Sequence, residues 1–171
     1  NDDDQSSSEN DDDQSSSEND DDQSSSENDD DDNKKHYRIV FIGNSKVGKT
    51  SIINRMMGED MNNIGPTISP FCLDLDYKGC QFKFWDTAGE SRFQSLSRLF
   101  YRDANIFVIV YDVTNRESFS SLIEWYEISK ELEPNAKYII VANNVASQNR
   151  AVTKEEGKEY AYDHDFKYIE I

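Results

Sequence analysis

"GNSKVGKT", Gly43–Thr50, decides how this chain is read. It fits the pattern G-x-x-x-x-G-K-[ST], a glycine-rich turn whose successive backbone N–H groups point into one hollow. Gly43 and Gly48 let the backbone come close to an anion. Asn44, Ser45, Lys46 and Val47 carry the amides between them, and Ser51 continues the run. Lys49 would reach the outer phosphates of a nucleotide, and the Thr50 hydroxyl would coordinate Mg²⁺. A chance glycine turn would match the same pattern, so the flanks matter. Upstream, "HYRIVFIG" (36–43) is a short apolar strand. Downstream, "KTSIINRMMG" (49–58) has helical spacing, with Ile52, Ile53, Met56 and Met57 on one side and Gly58 as a stop. Strand, glycine loop and helix is the order that a phosphate loop requires.

Further along, "EDMNNIGPTISP" (59–70) is a loop, because Pro66 and Pro70 exclude a helix. "FCLDLDY" (71–77) and "CQFKFW" (80–85) alternate around "KG" and form a hairpin. The first strand of that hairpin puts Phe71, Leu73, Leu75 and Tyr77 on one face. In "FKFWDTAGE", Asp86 ends a strand, where a carboxylate either holds a magnesium-bound water or caps a turn. Gly89 offers an unobstructed N–H to a terminal phosphate. Thr67 is either a second hydroxyl for the metal or an ordinary loop threonine. Two continuous apolar stretches, 104–112 and 136–142, read as strands buried on both faces. Between them, 116–132 is one amphipathic helix with Phe119, Leu122, Ile123, Tyr126 and Ile128 near its stripe. Residues 153–164 begin with a capping box, Thr153 to Glu156, and 166–171 is a final strand. The expected fold is α/β of the P-loop type: a mostly parallel sheet, helices on both faces, and one antiparallel edge strand.

The net charge of −17 is not spread evenly. Residues 1–33 hold 13 Asp and 3 Glu without a basic residue, so the remainder is near neutral. "NDDDQSSSE" occurs three times there, with no apolar position, so residues 1–35 are expected to be a disordered acidic tail. It reads as a solvated spacer or as an arm for a basic partner. Like charges argue against nucleic acid as a partner. Cys72 and Cys80 form no CxxC pair, which points to a reducing compartment. No signal peptide and no apolar run near 18 residues occur.

Residues 36–171 resemble a Ras-superfamily small GTPase, most closely of the Rab branch. The resemblance is carried by "IGNSKVGKTS", "WDTAGESRF" and "FYRDANIFVIVYDVTNRESF", which follow one another in the family's order. It implies a cytoplasmic switch that binds GTP or GDP with Mg²⁺ and hydrolyses GTP. Such a switch is read by effectors on endomembranes, is served by exchange and GTPase-activating proteins, and acts in vesicle traffic. Its switch loops would be 58–70 and 87–100, with Thr67 and Gly89 drawn to the γ-phosphate and Mg²⁺. Metal ligands are then Thr50, Thr67 and Asp86, and Lys49 serves catalysis as well as binding.

Departures from the family pattern qualify this. Its DTAGQ is DTAGE here, so Glu90 replaces the glutamine that orients the attacking water, and hydrolysis should be slow or atypical. The base-reading N-K-x-D aligns with Asn143, Asn144, Val145 and Ala146. Asn143 is kept; the lysine is Asn144, and the guanine-binding aspartate is Ala146. Met61 stands where an aromatic ring usually stacks on the base. A further base-contacting loop and a last helix would follow "YIEI", so the domain is expected to be incomplete at its C-terminal end, and no family membrane anchor lies in this chain. The competing reading is a pseudo-GTPase scaffold with weak or unselective nucleotide binding. A P-loop kinase or adenine-specific ATPase fits less well, because no helix carries a lid-like arginine cluster.

Overall fold

The computed structural model of the chain describes residues 34–58, 71–87 and 99–171. In chain order the elements are β1 (Lys35–Ile42), α1 (Lys49–Met57), β2 (Phe71–Tyr77), β3 (Cys80–Asp86), β4 (Ile106–Asp112), α2 (Arg116–Ser120), α3 (Leu122–Leu132), β5 (Lys137–Asn143), α4 (Lys154–Asp163) and β6 (Lys167–Glu170). The strands form one sheet in the order β2-β3-β1-β4-β5-β6. All neighbours are parallel except β2 and β3. The expected fold class therefore stands. Lys78 and Gly79 both take positive φ, 49° and 74°, which matches a two-residue hairpin turn to the twist of its strands.

Burial on both faces explains the long apolar runs. Along β1, Ile39 and Phe41 join Val47, Ile53, Phe84 and Val110 on one face. Val40 and Ile42 point the other way, to Phe107, Ile109, Leu122, Trp125, Ile140 and Ala161. Helix α1 thus covers one face, and α3 and α4 cover the other.

Three expectations need correction. The helix expected over 116–132 is divided at Ser121. Ser118, Ser120 and Ser121 turn their hydroxyls onto backbone carbonyls of Asn115, Arg116 and Glu117, at 2.7, 3.1 and 2.9 Å, and such back-bonding bends helices. The buried stripe of α3 runs through Leu122, Trp125 and Ser129, while Ile123 is exposed. In α1 the buried positions are Lys49 and Ile53, four apart, and Met56 falls off that stripe into solvent. Tyr77, beside the hairpin turn at the sheet edge, is also exposed, with the Lys78 ammonium over its ring.

The capping box at the start of α4 forms as expected, with reciprocal bonds of 3.2 and 2.8 Å between Thr153 and Glu156. Arg116 adds a 2.5 Å ion pair to Glu156 and ties α2 to α4. Helix α4 seats on the sheet through Gly157. A Cβ there would lie 2.5 Å from Tyr111 Oη and 2.7 Å from Tyr168 Cε2. Alanine in a helix ordinarily gains 0.5–1 kcal/mol over glycine, but overpacking costs about 1–3 kcal/mol. Gly157→Ala should therefore lower unfolding free energy by about 1–2 kcal/mol in a urea titration. A stabilised variant would show that α4 does not pack this closely.

Candidate functional site

The carboxyl ends of the strands converge at one edge of the sheet, where open α/β sheets bind ligands. Strand β1 runs into the glycine loop. Asp86 ends β3 beside Phe41 of β1, and Asp112 ends β4 beside Asn143 of β5. The loop needs both glycines. Gly43 has φ 135°, and a Cβ there would stand 2.3 Å from the Val110 carbonyl oxygen. Gly48 has φ 99°, and its Cβ would meet Asn143 Nδ2 at 2.2 Å. Val47 is buried between them, whereas Lys46 is exposed. Ser45, Thr50 and Ser51 are half-buried at the loop and the start of α1.

Lys49 is buried within this loop. Its Nζ donates to the carbonyl oxygens of Gly43 and Asn44, at 2.9 Å each. Burial lowers its pKa to about 8, against the pull of the Asp86 carboxylate. Next to it, the Thr50 hydroxyl donates to Oδ2 of the fully buried Asp86. Thr87 fixes the chain just past Asp86 by donating to the Phe41 carbonyl at 2.6 Å.

The loop after β5 forms the other end of the site. Asn143 Nδ2 donates to the Val47 carbonyl at 2.8 Å and so holds the glycine loop from the side. Asn144 sits at φ 66° and donates its side-chain amide to Asp112 Oδ2 at 2.7 Å. Asp112 Oδ1 accepts from the N–H and hydroxyl of Thr114, at 2.8 and 2.7 Å. Ala146 is exposed.

Gly43–Ser51, Asp86 and Asn143 are thus brought together. Met61, Thr67, Gly89 and Glu90 lie outside the described residues, as does the repeat at 1–33. Sequence reading missed Asp112, although a carboxylate ending a buried strand is the same signal that singles out Asp86. It also missed the partners of the Asn44 side chain, Trp125 and Ser121, which are about 80 residues away in the chain.

A lysine whose folded pKa lies below its unfolded value holds fewer protons in the folded state, so stability rises with pH between the two values. For Lys49 that window runs from about 8 towards the ordinary 10.5. In EDTA without nucleotide, the native chain should gain on the order of 2 kcal/mol relative to Lys49→Met between pH 8 and 9.5, a figure set by 1.36 kcal/mol per unit. Parallel pH–stability curves from denaturant titration would contradict a buried ammonium.

The family model described as "Ras family" matches residues 38–171. The chain is 35% identical to Ras-related protein Rab-17 of Mus musculus over 140 residues, covering 78% of this chain and 65% of that protein. It is 32% identical to Ras-related protein Rab-26 of Bos taurus over 142 residues, covering 78% of this chain and 56% of that protein. The chain therefore spans less than two thirds of the length of these relatives.

Proposed function

The chain belongs to the Ras family, in its Rab branch, and from that premise we propose that it is a Rab-like GTP-binding switch of vesicle traffic. The observation that carries this reading is the Lys49 ammonium folded onto the Gly43 and Asn44 carbonyls, next to the Thr50–Asp86 pair. GTP or GDP would lie with its phosphates over the loop amides and the N-terminus of α1, where backbone N–H groups and helix dipole both favour an anion. Lys49 then exchanges carbonyl oxygens for outer phosphate oxygens. The nucleotide adds counter-charge to the Asp86 carboxylate that already acts on the buried ammonium.

Thr50 and Asp86 suit Mg²⁺, because a hydroxyl and a carboxylate are hard oxygen donors. Among the described residues no cluster of three or more His, Cys, Asp or Glu could hold a metal by itself. That fits an ion held by a few protein oxygens, only one of them a carboxylate, together with phosphate and water oxygens. When bound, Mg²⁺ supplies charge neutralisation at the phosphates. By family resemblance Thr67 adds a ligand and Gly89 meets the γ-phosphate. Glu90 lacks the amide donor that orients the attacking water, so hydrolysis is slow or atypical. Effectors, exchange factors and GTPase-activating proteins are the corresponding partners, and the peripheral surface of endomembranes is the place of action. Among the described residues no helix is long and apolar enough to cross a membrane.

One observation favours weak base selectivity within this reading. Ala146 offers no carboxylate to guanine, and the Asn144 amide is already engaged by Asp112. Losing two hydrogen bonds to a charged group, each about 1.5–3 kcal/mol, removes roughly 10²–10⁴ in guanine preference.

Titration with labelled GTP, GDP and ATP, with and without Mg²⁺, tests the proposal. GTP and GDP should bind in a Mg²⁺-dependent manner, Lys49→Ala should abolish binding, and phosphate release should be slow. If none of the three nucleotides binds, the switch reading is wrong. Separately, Ala146→Asp should raise the ratio of GTP to ATP affinity by roughly a hundredfold or more, the low end of the loss above. An unmoved ratio would show that residues 143–146 do not face the base.

A further inference from the structure

We infer that Trp125 and Ser121 are positioning residues for the phosphate loop, acting through the Asn44 side chain; this rests on the phosphate-binding reading above. Asn44 is the second residue of the loop, and its amide is engaged at both ends. Its Oδ1 accepts from Trp125 Nε1 at 2.7 Å, and its Nδ2 donates to Ser121 Oγ at 3.2 Å. The donor count closes. Ser121 gives its own proton to the Glu117 carbonyl at 2.9 Å, which leaves its oxygen free to accept. The Trp125 indole has one N–H and no acceptor, so it can only donate.

The anchor is rigid. Trp125 is buried in the core on the face covered by α3, and its backbone N–H bonds to the Ser121 carbonyl at 3.2 Å. Ser121 and Trp125 are therefore one turn apart on one side of the helix, facing the loop together. The Asn44 carbonyl, meanwhile, receives Lys49 Nζ. One residue thus joins the lysine to the core through its backbone and its side chain. Asn143 holds the same loop at a second point, through the Val47 carbonyl. Between these two clamps the loop amides stay aimed into the hollow before any phosphate arrives, so little ordering entropy remains to be lost on binding. The bend at Ser121 has a use here: it lets the first turn of α3 present both groups to Asn44.

The test uses the full chain, with Mg²⁺ and GTP as the probe. The protein has two tryptophans, Trp85 and Trp125, so an ¹⁵N spectrum holds two indole signals, and Trp85→Phe identifies which is which. The Trp125 indole N–H signal should move with nucleotide saturation. Trp125→Phe keeps an aromatic ring and deletes the donor, and Asn44→Ala deletes the acceptor. Trp125→Phe should weaken GTP binding about three- to tenfold, the range for one hydrogen bond. Asn44→Ala should weaken it at least as much because it also loses the bond to Ser121, and the double variant should be no weaker than Asn44→Ala alone. A folded Trp125→Phe with native affinity, or additive losses, would overturn the inference. Should Trp125→Phe fail to fold, the indole signal decides, and a stationary one is equally fatal. A native chain that binds no nucleotide would instead remove the phosphate-binding reading itself.

Discussion

A buried ammonium fixes the arrangement of this site. Lys49 opens α1 but points back into the loop that precedes it, where two carbonyl oxygens hold it. A charge taken out of water must be paired or densely hydrogen-bonded. The loop can meet that requirement only if its backbone curls round the side chain, and the curl needs φ values of 135° and 99° at Gly43 and Gly48. Those glycines lie against Val110 and Asn143 with no room for a Cβ, so the ends of β4 and β5 become part of the same constraint. The sheet order follows the same logic, since β1 must have β3 on one side and β4 on the other to bring Asp86 and the Val110 carbonyl to the loop.

The two ends of the site differ in how much of the family chemistry they retain. At the phosphate end, the Lys49 ammonium lies on two loop carbonyls and the Thr50 hydroxyl on Asp86, contacts that a nucleotide and a cation would replace on the proposed reading. At the proposed base end the scaffold is in place, and no carboxylate stands at Ala146. Asn143 still clamps the glycine loop, which is a structural task and independent of which base is bound. Asn144 has turned to Asp112, and Ala146 presents a methyl group to solvent. On the proposed reading, affinity rests on Lys49, Thr50 and Asp86, and selectivity on the separate loop at 143–146. Hydrogen bonds to phosphate hold any nucleotide, whereas rejection of the wrong base needs a buried acceptor that the wrong base leaves unsatisfied.

Much of the fold was legible because its signals are local. A strand buried on both faces must be apolar along its buried length, as 106–111 and 138–142 are, and a turn that needs positive φ attracts glycine, as at 43, 48 and 79. The capping box at Thr153 needs only residues three apart. The errors arose where distant groups decided the outcome. Period alone favoured Ile123 over Trp125 for the buried stripe of α3, because it cannot register an indole hydrogen bond to a loop about 80 residues earlier. Nor could it register serine hydroxyls competing for the carbonyls of a helix.

By itself, then, the sequence determined the class of fold and singled out the glycine loop at 43–50 and Ala146 at the proposed base-reading position. Each of these is a matter of residue type at a fixed short spacing. Only tertiary structure decided what Asn44, Asp112, Ser121 and Trp125 do. Their roles depend on strand register and helix placement, which bring together atoms that no local pattern relates. A hydrogen bond is made or lost within a few tenths of an ångström, and that distance is set by packing the whole core.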